Sequence, residues 1–481
     1  MSALPSTHPS TRPSAHLSTR PASQTATTPC GGSSAPAVRT RALHAVPEAR
    51  TLPTVVGAQL RVPTLHGDTA YANLDHAAST PALETVKAAV DRALETYSSV
   101  HRGAGYASRL TSAWYEQARE EVAAFVGARR DDTVVFTRTT TDSWSLLSKA
   151  LPSRTTVFVF DIEHHSTLLP WGRFRTVRLP VPQTVEDAHA LLEEALADHP
   201  SRHRLVVIAA ASNVTGEVWP VERFAALAHE HGARIAVDAA QLSAHRTIDL
   251  AGWDADYVAF SGHKTYAPYG AGVLAGRSDW LDAGTPYLLG GGATRAVTED
   301  GTTWATGPAR HEGGSPNVIG AIALAAACAT ISRHRDSIEE HESRLLERLR
   351  AGLDEVPGVE VLSIFGDDSD RVGVVAFTIE GWDSSLVSQV LSVEHGIGVR
   401  DGRFCAHLLV DELLDDPWGE RSATAVRASI GLGSTREGVE RLVAAVASLV
   451  EEGTTATWTL TGSGWAVEGT DPRDVEVDRP W

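Results

Sequence analysis

Between about residue 130 and residue 280 the chain alternates short apolar runs with helical patterns, and several of the runs end in a cluster of polar residues. Runs of four to seven β-branched and apolar residues, bounded by turn formers, read as strands buried on both faces. Alternating with amphipathic helices, they are accommodated by a largely parallel sheet between helical layers. The spacing predicts strands at Val134–Thr137, Thr156–Phe160, Leu205–Ala210, Arg234–Val237, Tyr257–Phe260 and Gly272–Ala275, and helices at Thr141–Ala150 and Val221–His231. Two further helices are expected at Val318–Arg333 and Ser337–Leu353. The pattern then changes. Val359–Ser363 and Val372–Thr378 read as strands, and Ser384–His395 and Arg436–Glu451 as helices, of a smaller α+β unit. The expected fold class is therefore α/β, with an N-terminal segment (51–75), a large domain (76–340) built on a mostly parallel sheet, and a small C-terminal domain (341–452).

Composition limits what such a chain can do. Its 481 residues, 42% hydrophobic and 21% charged, suit a soluble globular enzyme of two domains. A net charge of −18 argues against nucleic acid and anionic membrane as main partners. No apolar run approaches the roughly 18–20 residues needed to span a bilayer. The three cysteines, Cys30, Cys328 and Cys405, form neither a disulfide framework nor a CxxC metal pair, so no metal site and a cytoplasmic setting are expected. Residues 1–50 are rich in Ser, Thr, Pro and Ala, with five arginines and no acid before Glu48. Such a composition is compatible with a transit peptide, but no amphipathic face is visible, and a disordered tail is expected. Residues 453–481 are polar and acidic and read as a second loose tail.

Open α/β sheets bind ligands beyond the C-terminal ends of their strands. The polar clusters there include Glu163-His164-His165, Ser212-Asn213, Asp238 and Ser261-Gly262-His263-Lys264. Asp238 and Lys264, 26 residues apart and each behind a strand, suit pyridoxal 5'-phosphate. That cofactor needs an amine for its Schiff base and a carboxylate to keep its pyridine nitrogen protonated. Taken singly, a surface lysine and a helix-capping aspartate explain the two residues as well. Gly270-Ala271-Gly272 is not a dinucleotide loop, since it lacks a third glycine at the required spacing and precedes a strand.

The flanking residues carry more. Val237-Asp238-Ala239-Ala240-Gln241 and Phe260-Ser261-Gly262-His263-Lys264 resemble signatures of the class V aminotransferase superfamily, the fold type I pyridoxal-phosphate enzymes. Within it the chain is most similar to the group II cysteine desulfurases and selenocysteine lyases. The matching stretches include Leu74-Asp75-His76-Ala77-Ala78, His101-Arg102-Gly103, Glu163-His164-His165-Ser166, Ser212-Asn213-Val214-Thr215-Gly216, Gly313-Gly314-Ser315-Pro316-Asn317 and Arg427-Ala428-Ser429. The resemblance runs from about Leu74 to Leu449.

It implies that His164 stacks on the pyridine face, Gln241 meets the ring hydroxyl oxygen and Asn213 touches the cofactor edge. Ser261 and His263 match phosphate ligands. Thr140 and Thr141 stand at a helix start, where backbone N–H groups and the dipole favour an anion, although lone hydroxyls there are more often plain N-caps. Ser315 matches a residue that reaches the phosphate across a homodimer interface. Arg427 and Arg400 match the arginines that meet the substrate, a role suited to the guanidinium fork.

Cys405 decides the reaction subclass. A desulfurase needs a thiolate on an accessible, electropositive loop. Arg400-Asp401-Gly402-Arg403-Phe404-Cys405-Ala406-His407 offers two arginines and a histidine, and resembles the group II active-site loop. Cys328, within the apolar run Ala325–Ala329, exemplifies the alternative of a buried structural thiol. The chain departs from the family pattern at Phe404, where histidine is usual, at Leu408, where proline is usual, and at Thr139 and Ala267, where glycine is usual. Three readings follow: a desulfurase or selenocysteine lyase using Cys405, with an amino-acid substrate and a sulfur-acceptor protein; an aminotransferase, epimerase or other C–S lyase; and a non-catalytic binding protein, which would have no need of Lys264 and Asp238.

Overall fold

The computed structural model describes residues 51–101, 103–415, 424–474 and 479–481. The N-terminal stretch read as a tail, with Cys30, lies outside the described residues.

Helices α1 (Glu84–Leu94) and α2 (Tyr106–Phe125) precede the main sheet. Its strands are β1 (Asp132–Thr137), β2 (Thr155–Phe160), β3 (Arg175–Leu179), β4 (His203–Ala209), β5 (Arg234–Asp238), β6 (Tyr257–Ser261) and β7 (Gly272–Arg277). They lie in the order β1-β7-β6-β5-β4-β2-β3. Only β7 runs against its neighbours. Every residue of β2, β5 from Ile235 onward, and β6 is buried, as strands covered on both faces by helices require. The connecting helices are α3 (Thr140–Ala150), α4 (His165–Leu168), α5 (Val185–Asp198), α6 (Val221–Glu230) and α7 (Ser278–Ala283). The edge strand β3, half exposed and interrupted by arginines, has too weak a pattern to read from sequence.

Register brings the chemistry to one edge. Ala209 pairs with Asp238, Asp238 with Ala259, and Gly272 with both Ser261 and Thr137. A Cβ at Gly272 would lie 2.8 Å from the Thr139 backbone. Only glycine therefore lets the start of α3 close on the end of β6.

Helix α8 (Val318–Asp354) is one continuous helix of 37 residues where the sequence predicted two. The polar turn Arg333-His334-Arg335-Asp336 contains no glycine or proline, so nothing breaks the helix there. Its first half packs Leu324, Cys328 and Ile331 into the core of the large sheet, and its second half packs Leu345, Leu349 and Leu353 into a second core. Position 340 thus falls inside a helix shared by both cores. The second core lies on an antiparallel sheet formed by β8 (Val359–Val361), β9 (Val374–Ile379), β10 (Arg400–Gly402) and β11 (Ala425–Ser429), in the order β8-β9-β11-β10. Helices α9 (Ser384–His395) and α11 (Arg436–Glu452) complete it, whereas the short α10 (His407–Leu413) packs Leu409 and Val410 into the first core.

The expected loose tail from 453 corrects differently. Strands β12 (Trp458–Thr461) and β13 (Gly464–Val467) form a hairpin around Gly462-Ser463. Trp458 Nε1 donates to Glu394 at 3.1 Å, and Arg473 donates to Gln389 at 2.8 Å, both on α9. The alternating Trp458, Leu460 and Trp465, Val467 around a two-residue Gly-Ser turn is a hairpin signal that the polar composition masks. Among the described residues no helix is long and apolar enough to cross a membrane.

Candidate active site

A cavity of about 260 Å³ opens at the C-terminal ends of β2, β4, β5 and β6. Asp238, the last residue of β5, is buried. Its Oδ1 accepts from the Ala240 N–H at 2.9 Å and its Oδ2 from Thr167 Oγ1 at 2.5 Å. Both donors are neutral, and no ion pair reaches this carboxylate among the described residues. A buried carboxylate held in this way favours a cationic group in the cavity beside it. Lys264 ends the short turn Gly262–Lys264 that follows β6. The turn is tight: a Cβ on Gly262 would lie 2.8 Å from the Ala271 carbonyl and 2.9 Å from that of Ala267. Burial lowers the Lys264 amine to about 8, Asp238 raises it, and Arg427 lowers it further. The two side chains line one cavity, and no ion pair joins them among the described residues.

The other end of the cavity is a donor cluster. The Thr140 N–H donates to Ser261 Oγ at 2.7 Å, and the two hydroxyls lie 2.8 Å apart. Thr139 is the N-cap of α3, its hydroxyl accepting from the Asp142 N–H, so the hydroxyls of Thr140 and Thr141 are not consumed as caps. Thr141 and His263 line the same space. The helix start, its dipole and these hydroxyls suit a phosphate-sized anion.

His164 caps α4, and its Nδ1 accepts from the Ser166 N–H at 3.0 Å. Burial, with Lys264 and other cations adding to it, lowers its imidazole to about 3, so the ring is neutral at physiological pH. Gln241 Nε2 donates to the Ala77 carbonyl at 2.9 Å, which fixes the amide against the cavity wall. Asn213 lines the cavity, and its amide and backbone also make contacts of their own. Its Nδ2 donates to the Phe404 carbonyl at 2.8 Å, and its own carbonyl accepts from Arg427 at 2.9 Å. It lines the cavity while tying the Cys405 loop to β11.

That loop forms the mouth. Phe404 and Cys405 both have positive φ, 50° and 56°. Consecutive left-handed residues without glycine are costly and persist only where surrounding contacts hold them. The holding bonds are Asn213 to the Phe404 carbonyl and the His165 N–H to the Cys405 carbonyl, 2.8 Å each. Cys405 is an exposed free thiol that faces the same cavity as Lys264, whereas Cys328 is buried in α8, where desolvation pushes its thiol up. Arg427 is buried on β11, its guanidinium 5.0 Å over the Phe404 ring. Burial lowers it to about 10. Arg400 is half exposed, and Arg403 is paired with Asp411 at 3.2 Å. Ser315 is exposed outside this cavity, in a separate cleft of about 610 Å³ with His101, Arg119 and Glu312.

Residues 72–442 match the aminotransferase class-V family. The chain belongs to that family. It is 33% identical over 391 residues to a probable cysteine desulfurase of Vibrio cholerae, covering 79% of this chain and 93% of the relative. A cysteine desulfurase of Haloferax volcanii is 34% identical over 412 residues, with 81% and 92% covered. Among solved structures, the apo form of a cysteine desulfurase from Thermococcus onnurineus superposes with a TM-score of 0.71 at 31% identity, covering 79% of this chain and 95% of that one. One from Escherichia coli gives 0.68 at 32% identity, with 78% and 94% covered.

Two residues of this class-V enzyme carry more than their motif suggested. Asp75 joins Arg427 and Arg400 through Arg427 NH2 at 3.3 Å and Arg400 NH1 at 3.8 Å. Glu163 is buried behind the site. Its Oε1 accepts from the Ala209 N–H at 2.9 Å, on the residue paired with Asp238, and its Oε2 has no partner among the described residues. Burial and the Asp238 charge raise its carboxyl well above the usual 4.5. The protonated form is favoured in the folded state, so this group's contribution is full below the unfolded value and is lost as the pH rises from there through the higher folded value. Glu163→Gln, which cannot ionise, is therefore expected to be more thermostable than the parent at pH 8, by about 2–4 °C. The gain shrinks toward zero as pH falls to 5. Melting curves across that range measure it, and a gain that grows on acidification contradicts the neutral carboxyl.

Proposed function

We propose that this class-V enzyme is a pyridoxal 5'-phosphate-dependent cysteine desulfurase that converts L-cysteine to L-alanine and leaves the sulfur as a persulfide on Cys405. The observation that carries the reading is the exposed thiol of Cys405 on the same cavity as Lys264 and Arg427.

The residues fit the cofactor. Asp238 would hold the pyridine nitrogen, His164 the ring face and Gln241 the ring hydroxyl, with Asn213 at the cofactor edge. Thr140, Thr141, Ser261 and His263 would hold the phosphate, and Lys264 the aldehyde carbon. Bound there, the cofactor supplies an electron sink for the substrate α-carbon.

The protein's own groups do the rest. Arg427, with Arg400 at the rim, binds the substrate carboxylate and orients the side chain toward the mouth. The Lys264 amine moves protons at the substrate carbons. The Cys405 thiolate attacks the substrate sulfur. The new S–S bond forms as the Cβ–S bond breaks, the bonding pair stays with Cβ, and a proton delivered to that carbon completes alanine. A thiol reductant or a sulfur-acceptor protein then takes the terminal sulfur and regenerates the thiol. The same proposal includes a homodimer in which Ser315 of each chain completes the partner's phosphate site, and a cytoplasmic location. The exposure of Ser315 supports the former, and the sparse cysteines the latter.

The test is a product assay. Incubation with L-cysteine and a thiol reductant should yield alanine and sulfide in equal amounts. A keto acid product, or sulfide with pyruvate and ammonia in place of alanine, would replace this reading by transamination or by β-elimination.

A further inference from the structure

Arg427 is held from two sides by groups other than an acid. Its NH1 donates to the Asn213 carbonyl at 2.9 Å, and its guanidinium carbon lies 5.0 Å over the Phe404 ring. Its Nε is buried and has no partner among the described residues. The edge made by Nε and NH2 is thus the incompletely paired side of the fork, and a carboxylate binds such an edge through two parallel hydrogen bonds. One group already touches it: Asp75, through the long 3.3 Å bond to NH2. The other oxygen of Asp75 lies 3.8 Å from Arg400.

We propose that Asp75 is a positioning residue that stands where the substrate carboxylate would meet the incompletely paired edge of Arg427, and that by opposing the incoming carboxylate it keeps substrate and product loosely held. The inference deepens the proposed function and rests on Arg427 as the carboxylate site. Two guanidinium groups and one carboxylate leave the subsite with a single net positive charge, which an entering carboxylate cancels. Without the Asp75 charge a positive charge remains after binding, and an amino acid is held more tightly. Asp75 keeps 28% of its side-chain surface exposed, so water softens the opposition without removing it. Loose binding serves turnover, since affinity shared equally by substrate, product and transition state adds nothing to kcat.

The cofactor-loaded enzyme provides the readout. L-alanine and ethylamine, which lacks the carboxylate, are titrated while the cofactor absorbance is followed, and KM and kcat are measured with L-cysteine. Asp75→Asn keeps an oxygen that can accept from NH2. It is expected to lower the L-alanine Kd and the L-cysteine KM by roughly threefold to tenfold, to move kcat less than KM, and to leave ethylamine binding unchanged. Arg400→Gln is expected to shift L-alanine binding the opposite way, with the double variant between the two singles. Weaker L-alanine binding in Asp75→Asn, or an equal shift for ethylamine, overturns the proposal. If Asp75→Asn does not fold, Arg400→Gln decides by itself, and unchanged L-alanine binding there is the contrary result. Arg427→Ala separates the two levels of the argument: if it leaves L-alanine binding intact, the carboxylate site itself is wrong. If it weakens binding but Asp75→Asn does not tighten it, only the role of Asp75 is.

Discussion

Lys264→Ala is expected to cut L-cysteine turnover by roughly a thousandfold or more, and to abolish the cofactor absorbance at about 420 nm. Among the described residues no other lysine lines the cavity, and the two arginines there cannot stand in for it. A guanidinium stays protonated at every working pH and offers no free pair to a carbonyl carbon. The pH dependence of cofactor capture sharpens the test. Burial brings the Lys264 amine from 10.5 to about 8, so in the apoprotein its reactive, unprotonated form predominates above pH 8 and is scarce below pH 7. The rate at which the apoprotein takes up pyridoxal phosphate should therefore rise with pH and level off once the amine is free. Stopped-flow absorbance at a series of pH values measures this. A rate still climbing toward pH 10.5 would mean that the amine is solvated and outside the buried site; a Lys264→Ala protein that keeps its absorbance and turnover would move the chemistry to another residue.

The parts of this site that were legible in the sequence are those written locally. A buried parallel strand is a continuous apolar run, so β2, β4, β5 and β6 could be read directly, and the polar residue after each run marks the sheet edge where ligands bind. Asp238 and Lys264 were legible for that reason, and the motif flanks supplied their roles. Contacts between distant segments were not. Asp75 and Arg427 are 352 positions apart, and the ion pair that joins them leaves no periodic trace. The same holds for Asn213, whose amide bonds the Phe404 carbonyl 191 positions away. Phe404 shows the limit from the other side. In sequence it is only a departure from a motif, yet in the fold its ring lies 5.0 Å from the Arg427 guanidinium carbon. The unbroken α8 was missed because a polar turn resembles a linker in a hydropathy pattern. A helix that passes from one core to another needs only helix-forming residues there, with no apolar face.

Cys405→Ala is expected to lower alanine formation from L-cysteine by roughly a hundredfold or more while leaving the absorbance of the loaded enzyme and its L-alanine affinity near those of the parent. Among the described residues the thiol is the one side chain of its kind on the cavity, and its exposure makes it available both to the substrate sulfur inside and to an acceptor outside. Cys328 cannot replace it. That thiol is fully buried in α8, where desolvation holds it protonated and unreactive. Alkylation of the folded protein should modify Cys405 and spare Cys328, and peptide mapping by mass distinguishes them. Cofactor binding draws on Asp238, Lys264 and the α3 cradle, and none of these requires the sulfur of residue 405. Loss of alanine formation with retained L-alanine binding therefore assigns the defect to sulfur transfer. If Cys405→Ala makes alanine at the parental rate, sulfur does not pass through this thiol, and the strained, doubly pinned turn at Phe404 and Cys405 must serve only to shape the mouth.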